Sequence, residues 1–104
     1  MEATIVRKTL SETIADTPLL LVDFFTEWCG PCKMMAPVLK DLKLFLQDNI
    51  KVIKIDVDKN NAAAAQFQIA GVPTLILFKN GQPVWRQSGA MNLAALKAVI
   101  EQHG

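Results

Sequence analysis

The sequence is poor in the residues that build metal sites. It has only two cysteines and one histidine among its 104 residues, and it has no tyrosine. A four-coordinate zinc site needs about four Cys, His or carboxylate ligands. No second cysteine pair exists, and His103 lies at the far terminus. The scarcity of ligands therefore argues against a zinc site. The absence of tyrosine, by contrast, excludes no function considered below.

The chain also lacks an excess of charge and any long hydrophobic run. Lysine and arginine number 11 against 10 acidic residues, which leaves a net charge of +1. We therefore expect no nucleic-acid partner and no anionic membrane partner. The apolar runs are far too short to span a bilayer, and Met1 to Leu10 lack the apolar core of a secretory signal. We expect a soluble cytoplasmic protein, unless a leader was removed before Met1.

What the chain does contain is a high proportion of apolar residues. Hydrophobic residues make up 51% and charged residues 20%, a composition that excludes a disordered or fibrous chain. No repeat, linker or low-complexity tract interrupts it. At this length we predict a single domain over residues 1–104 with one sizeable core.

The spacing of apolar residues predicts an alternation of strands and helices. Ser11 and Asn92 are the predicted N-caps of the first and last helices, and Pro37 is expected to kink the second helix. Asn80-Gly81 predicts a hairpin turn. Strands are predicted at 3–8, 19–25, 51–57, 74–78 and 84–87, and helices at 11–16, 31–45, 60–67 and from residue 92 onward.

This order of elements predicts an α/β fold of three layers, in which helices cover both faces of a mixed sheet of four or five strands. The early alternation favours parallel pairing, and the final hairpin favours an antiparallel edge strand. Residues 19–25 are almost continuously apolar, which is typical of a central strand covered on both faces.

Both cysteines lie in the segment Trp28-Cys29-Gly30-Pro31-Cys32, between a predicted strand and a predicted helix. A thiolate rather than a thiol attacks a disulfide, and the helix N-terminus favours a negative charge at Cys29. We expect Cys29 to be exposed and to attack a substrate disulfide, and Cys32 to be shielded and to release the product. Pro31 at the first helical turn loses no needed N–H group.

Two other interpretations of the cysteine pair are a partial metal site and a structural disulfide. Too few ligands accompany the pair for a metal. A two-residue gap closes only a tiny loop, which constrains little chain entropy. In a reducing cytosol such a pair is more often catalytic than structural, so redox chemistry is favoured.

The segment around the cysteines is one of a series of motifs along the chain: Val22–Lys33, Pro37, Lys54–Asp58, Gly71–Thr74, Phe78–Gly81 and Gly89. These motifs occur in the order found in the thioredoxin family, and the chain resembles that family. One departure is Phe25, where many bacterial members have tryptophan.

The resemblance implies a thiol-disulfide oxidoreductase that reduces protein disulfides and needs no bound cofactor, because the Cys29–Cys32 dithiol carries two electrons. The implied partners are disulfide-containing protein substrates and a thioredoxin reductase, a flavoprotein that supplies electrons from NADPH. We expect the protein to act as a monomer.

Two charged residues are candidates for assisting the dithiol. Asp23 lies inside an apolar strand, where burial would raise its pKa and let it act as general base on Cys32. The alternative is a solvated carboxylate at a strand end. The resemblance implies that Lys54 approaches Asp23 and tunes its proton affinity, whereas the sequence alone favours an ordinary surface lysine.

The resemblance also implies a flat, weakly polar substrate face around Cys29. The Val72-Pro73 peptide bond would be cis and would expose the Val72 backbone to an extended substrate. The glycines could equally be turn residues. The predicted face comprises Trp28, Gly30, Pro31, Gly71, Val72, Pro73, Gly89 and Ala90.

Two alternatives to a disulfide reductase stay open on the sequence. One is an oxidising or isomerising relative, which Gly30-Pro31 between the cysteines disfavours. The other is a binding subunit of the same fold whose dithiol is incidental, which the presence of Asp23 beside an intact cysteine pair disfavours.

Overall fold

A computed structural model describes residues 9–104 of the chain. A short 3-10 turn, Gln47–Asn49, follows the second helix. The strand predicted at 3–8 lies outside the described residues, and the other predicted elements are confirmed with bounds shifted by one or two residues. The elements are α1 (Leu10–Asp16), β1 (Leu19–Phe25), α2 (Gly30–Leu46), β2 (Lys51–Asp56), α3 (Asn61–Gln66), β3 (Thr74–Lys79), β4 (Gln82–Ser88) and α4 (Leu93–His103).

The four described strands form one mixed sheet in the order β2-β1-β3-β4. β1 runs parallel to β2 and antiparallel to β3, and β4 pairs with β3 as an antiparallel neighbour. The mixed sheet and the antiparallel strand at its end are therefore confirmed. β1 lies between two neighbours, as its almost continuous apolar sequence predicts.

Helices cover both faces of this sheet, which confirms the three-layer prediction. Because side chains alternate along a strand, Leu21 faces one side of β1 and Leu20 the other. On the Leu21 side the core includes Met35 and Leu39 of α2 and Leu96 and Ile100 of α4. On the Leu20 side it includes Val22, Phe24, Ile76, Phe78 and Ile14 of α1, with Phe67 and Ile69 packed against them.

The hairpin between β3 and β4 turns at the predicted dipeptide. Asn80 has φ 50° and Gly81 has φ 86°. A two-residue turn of this type requires positive φ at both central positions, and asparagine and glycine adopt it most readily. The predicted hairpin turn is therefore confirmed, and the two positive φ angles explain why this dipeptide forms it.

The N-cap of α1 is Thr9, so the prediction of Ser11 is wrong. The Thr9 hydroxyl accepts a hydrogen bond from the Glu12 N–H at 3.1 Å, and the Glu12 carboxylate accepts one from the Thr9 N–H at 2.8 Å. This reciprocal pair satisfies two backbone donors at once, which a hydroxyl at Ser11 does not do. The Asn92 cap of α4 is confirmed, since its Oδ1 accepts from the Ala95 N–H at 2.8 Å.

α2 continues through Pro37 from Gly30 to Leu46. The expected kink at Pro37 stays a prediction. Cys32, Met35, Leu39 and Leu42 form the buried stripe of this helix, so the second cysteine begins the face that packs on the sheet.

The capping assignment predicts unequal effects for two neighbouring substitutions. Thr9→Ala should lower the free energy of unfolding by about 1 kcal/mol, because the Glu12 N–H loses its acceptor. Ser11→Ala is the matched control and should change it by no more than a few tenths of a kcal/mol, since alanine suits a helix interior. Urea denaturation of both variants measures this, and a larger loss from Ser11→Ala would contradict the assignment.

Candidate active site

The two cysteines lie where β1 leads into α2. Cys29 is the N-cap residue of α2, and its sulfur accepts a hydrogen bond from the Cys32 N–H at 3.1 Å. Pro31 occupies the first turn, where its missing N–H costs nothing. The first sulfur thus lies at the positive end of the helix dipole, where a thiolate is stabilised.

Cys29 and Cys32 form a disulfide with their Cα atoms 5.2 Å apart. Their relative exposures are 5% and 4%, so the expected exposure of Cys29 is wrong for this oxidised form. Cys29 is buried because another loop covers it: its sulfur lies 3.7 Å from the Val72 carbonyl oxygen. The two sulfurs differ in their surroundings rather than in exposure.

A separate groove lies on the Cys32 side of the pair. It measures about 270 Å³ and runs from the helix to the end of β1 and to β2. This groove gives solvent a route to the neighbourhood of the second sulfur. Its lining consists of Phe25, Thr26, Glu27, Cys32, Lys33, Ala36 and Lys54.

The loop that faces Cys29 has the backbone geometry expected from the resemblance. The Val72-Pro73 peptide bond is cis, and the Pro73 carbonyl accepts a hydrogen bond from the Gly89 N–H at 2.8 Å. Gly89 has φ 99°, a conformation that L side chains rarely adopt. The turn interpretation of Gly89 is therefore confirmed, and its place in a substrate face stays a prediction.

Gly71 and Gly30 show no such backbone requirement. A Cβ atom built at either position, or at Gly89, would meet no atom of the structure within 4 Å. Open space therefore lies in front of all three glycines. This agrees with a flat face, although their role in substrate binding stays a prediction.

Trp28 is 72% exposed beside the disulfide. Its indole Nε1–H donates a hydrogen bond to the Asp58 carboxylate at 2.8 Å, which fixes an apolar ring at the protein surface. A groove of about 380 Å³ extends from Trp28 and Asp58 to Ile69–Val72. Sequence reasoning gave Asp58 no site role, because nothing in the local pattern joins residues 30 positions apart.

Asp23 is completely buried on the face of the sheet that α2 covers. Within residues 9–104, neither of its carboxylate oxygens has a hydrogen-bond partner, and the same holds for the nearby buried hydroxyl of Thr26. Burial raises the pKa of Asp23 to about 6, while the positive charge of Lys54 lowers it. The predicted burial is confirmed, the direction of the pKa shift agrees with the prediction, and the alternative of a solvated carboxylate is wrong.

Lys54 is the parallel-strand partner of Asp23. Its side chain is exposed, and its Nζ lies 4.7 Å from the centroid of the Phe25 ring, in range for a cation–π interaction. No ion pair joins Lys54 to Asp23 among the described side chains. Lys54 is therefore a surface lysine whose charge nevertheless acts on the buried carboxyl from a distance.

Two kinds of feature are absent from the part of the chain that the structure describes. No helix there is both long and apolar enough to cross a membrane. No group of three or more His, Cys, Asp or Glu side chains in residues 9–104 is placed to hold a metal ion.

A mixed sheet between two helical layers, with a Cys-Gly-Pro-Cys disulfide at a helix N-terminus opposite a cis-proline, defines a class of proteins. These are thiol-disulfide oxidoreductases, which work by dithiol-disulfide exchange. The chain belongs to the thioredoxin family, because the family model described as Thioredoxin matches residues 2–102.

Individual relatives agree with this family. The chain is 51% identical over 87 residues to a thioredoxin-like protein of Synechocystis, covering 83% of each. It is 48% identical over 89 residues to the thioredoxin of Haemophilus influenzae, covering 86% of this chain and 82% of the relative.

Solved structures support the same fold. A mutant thioredoxin from Halobacterium salinarum aligns with a TM-score of 0.82 at 40% identity, over 94% of this chain and 87% of that one. A thioredoxin from Plasmodium falciparum aligns with a TM-score of 0.81 at 37% identity, over 90% of both chains.

Proposed function

We propose that this chain reduces disulfides in other proteins, with Cys29 as the attacking thiol and Cys32 as the resolving thiol. The observation that carries the proposal is the position of the Cys29 sulfur. It caps α2, where a thiolate is stabilised, and it lies 3.7 Å from the Val72 carbonyl of the facing loop. A substrate that pairs with this loop would bring its disulfide to Cys29 first.

In the first step the Cys29 thiolate attacks one sulfur of the substrate disulfide. A bond forms between Cys29 and that sulfur, and the substrate sulfur–sulfur bond breaks. The other substrate sulfur leaves as a thiolate and takes up a proton. The helix N-terminus favours this step because it stabilises the attacking thiolate.

In the second step Cys32 loses its proton and attacks the Cys29 sulfur. The Cys29–Cys32 bond forms, the mixed disulfide breaks, and the second substrate sulfur leaves as a thiolate that is then protonated. The substrate has gained two electrons and two protons, and the protein dithiol has become a disulfide. This is the oxidised state that the structure shows.

Asp23 is the proposed acceptor for the Cys32 proton, directly or through water. A carboxyl with a pKa of about 6 is mostly ionised at neutral pH and still binds a proton more tightly than an ordinary aspartate. Its oxygens are free of other hydrogen-bond partners in residues 9–104. Lys54 would tune this acceptor through its charge.

The proposed docking face surrounds Cys29 with few charges. Trp28 provides an exposed ring held by Asp58, and the cis Val72-Pro73 bond and the open space at the glycines leave backbone accessible to an extended segment. The face comprises Trp28, Gly30, Pro31, Gly71, Val72, Pro73 and Gly89, together with Ala90.

The oxidised dithiol must be re-reduced before another cycle. We propose that a thioredoxin reductase, a separate flavoprotein, supplies the electrons from NADPH, and that the protein works in the reducing cytoplasm. One domain over residues 1–104 carries the complete dithiol site, so a monomer suffices for both steps.

Insulin reduction tests the proposal. The purified protein, NADPH and a bacterial thioredoxin reductase should together consume NADPH and precipitate the insulin B chain, whereas protein with both cysteines alkylated should match the blank. A second arm replaces the reductase with dithiothreitol, so that a mismatched reductase is not mistaken for an inactive protein. No acceleration in the dithiothreitol arm would overturn the proposal and leave a binding subunit.

The direction of exchange needs its own comparison. The oxidised protein is incubated with reduced ribonuclease, and disulfide formation is followed by thiol titration. Faster oxidation of ribonuclease than reduction of insulin, at equal protein concentration, would favour an oxidase or isomerase over a reductase.

A further inference from the structure

Arg86 makes two hydrogen bonds across the protein surface. It lies on β4, and its guanidinium donates to the carbonyl oxygens of Phe67 and Gln68, the second at 2.8 Å. These are consecutive carbonyls just after α3. Arginine alone has a planar fork of donors that can hold two acceptors in a fixed geometry.

The segment that Arg86 holds needs an external anchor. α3 has only six residues, too few to be stable without tertiary contacts. Gln68 has φ 53° and turns the chain out of the helix, after which the Ile69 N–H donates back to the Ala64 carbonyl at 2.9 Å. A cation near a helix C-terminus also interacts favourably with the negative end of the helix dipole.

The chain that follows is the loop beside the disulfide, Ile69–Pro73, called here the substrate loop. Its far end is also fixed by β4. The Thr74 hydroxyl donates to the Gly71 carbonyl at 2.7 Å and lies 2.9 Å from the Ser88 hydroxyl oxygen. The Gly89 N–H donates to the Pro73 carbonyl at 2.8 Å. β4 and Gly89, the residue that follows it, therefore hold both ends of this loop, and Arg86 fixes its beginning.

We propose that Arg86 is a positioning residue that keeps the substrate loop in its docking conformation opposite Cys29. Val72 lies only four residues after Gln68, so freedom at the carbonyls that Arg86 holds would be transmitted to the backbone that faces the reactive sulfur. Arg86 itself lies on the edge strand and takes no part in the exchange chemistry. The proposal rests on the proposed function, since the loop position matters to substrates that dock on it.

Two substitutions separate the effect of the Arg86 charge from the effect of its paired hydrogen-bond donors. Arg86→Met removes both donors at similar length and should raise the KM for insulin about five- to tenfold with kcat little changed. The reason is that a loop in its docking conformation only about a tenth to a fifth of the time lowers apparent affinity by the same factor. Arg86→Lys keeps the charge and one donor group, so its KM should lie between that of the unaltered protein and that of Arg86→Met.

The matched control is Gln87→Met, one residue along the same strand. Gln87 is exposed, and its side chain makes no hydrogen bond within residues 9–104. Its kinetics with insulin should equal those of the unaltered protein. A small aromatic disulfide, dithionitrobenzoate, has no peptide backbone to pair with the loop, and every variant should reduce it at the same rate within about twofold.

A second measurement observes the loop without any substrate. Amide hydrogen exchange of Gln68 and Ile69, whose N–H groups donate to the Ala65 and Ala64 carbonyls, should accelerate about tenfold in oxidised Arg86→Met and stay unchanged in Gln87→Met. Unchanged exchange in Arg86→Met would overturn the proposal, as would equal losses with insulin and dithionitrobenzoate. Accelerated exchange in a protein that never reduces insulin would support the hold on the loop and overturn the proposed function instead.

Discussion

Cys29→Ser should lower the rate of insulin reduction by more than about a thousandfold, to the rate of the blank. A serine hydroxyl is not ionised at neutral pH, so the helix N-terminus has no anion to stabilise and no nucleophile attacks the disulfide. When catalytic side chains act as one unit, removing any one of them costs an enzyme nearly all of its activity. The measurement is NADPH consumption with reductase and insulin, and rates equal to those of the unaltered protein would contradict the catalytic role of Cys29.

Cys32→Ser should also lose turnover, but it should accumulate mixed disulfides. Its Cys29 still attacks, and no second thiol is left to release the substrate. Non-reducing gels and peptide mass spectrometry should find insulin chains bound through Cys29. Capture through Cys32 in the Cys29→Ser variant instead would reverse the two roles.

A distant substitution controls for general damage in both experiments. Ser11→Ala lies on α1, on the opposite face of the sheet from α2. It should leave insulin reduction unchanged and capture no substrate. Loss of activity in this variant would mean that the assay reports folding rather than the dithiol.

The elements around the site could be predicted because local patterns determine them. Residues 19–25 are apolar without interruption, the period of α2 is helical, and Asn80-Gly81 matches the two positive φ angles of its turn. The cap of α1 could not be decided in the same way. Two hydroxyl residues stand two positions apart, and only the reciprocal bond between Thr9 and Glu12 selects one of them.

The contacts that shape the site escaped prediction because they join distant parts of the chain. Trp28 bonds Asp58, and Arg86 bonds the end of α3. The burial of Cys29 also depends on a distant loop, through Val72. The burial of Asp23 is favoured by the sequence because the apolar residues on both sides of it predict a strand covered on both faces.

Replacing that buried carboxylate should stabilise the protein. Asp23→Asn should raise the free energy of unfolding at pH 7 by about 2 to 3 kcal/mol. The pKa of Asp23 is raised from 3.8 to about 6 in the folded protein, and each tenfold change in proton affinity corresponds to about 1.4 kcal/mol. The ionised carboxylate therefore costs about 3 kcal/mol at neutral pH, and a buried amide still costs part of this.

The pH dependence gives the sign of this effect. Because the folded protein binds the Asp23 proton more tightly than the unfolded chain, its stability falls as the pH rises from about 4 to about 6 and then stays level. The advantage of Asp23→Asn should therefore be largest above pH 6 and disappear below about pH 4. Urea denaturation of the oxidised proteins between pH 4 and 8 measures it.

The exposed residue Asp41 on α2 supplies the matched control. Asp41→Asn should change the free energy of unfolding by no more than about 0.5 kcal/mol at any pH. NMR titration of the Asp23 carboxyl carbon checks the cause directly, since its midpoint should lie near pH 6. A midpoint near the ordinary value of 3.8 would contradict both the burial argument and the predicted gain in stability.

The same substitution should slow catalysis, which separates a functional role from simple packing. Without the carboxylate, Cys32 loses its proton acceptor, so release of the mixed disulfide should slow by about a hundredfold at neutral pH. Attack by Cys29 on dithionitrobenzoate should change little, because that step needs no proton from Cys32. A variant that is more stable yet slower only in release identifies Asp23 as the base for Cys32. Equal slowing of both steps would contradict a role confined to release, because Asp23 would then also affect the attack by Cys29.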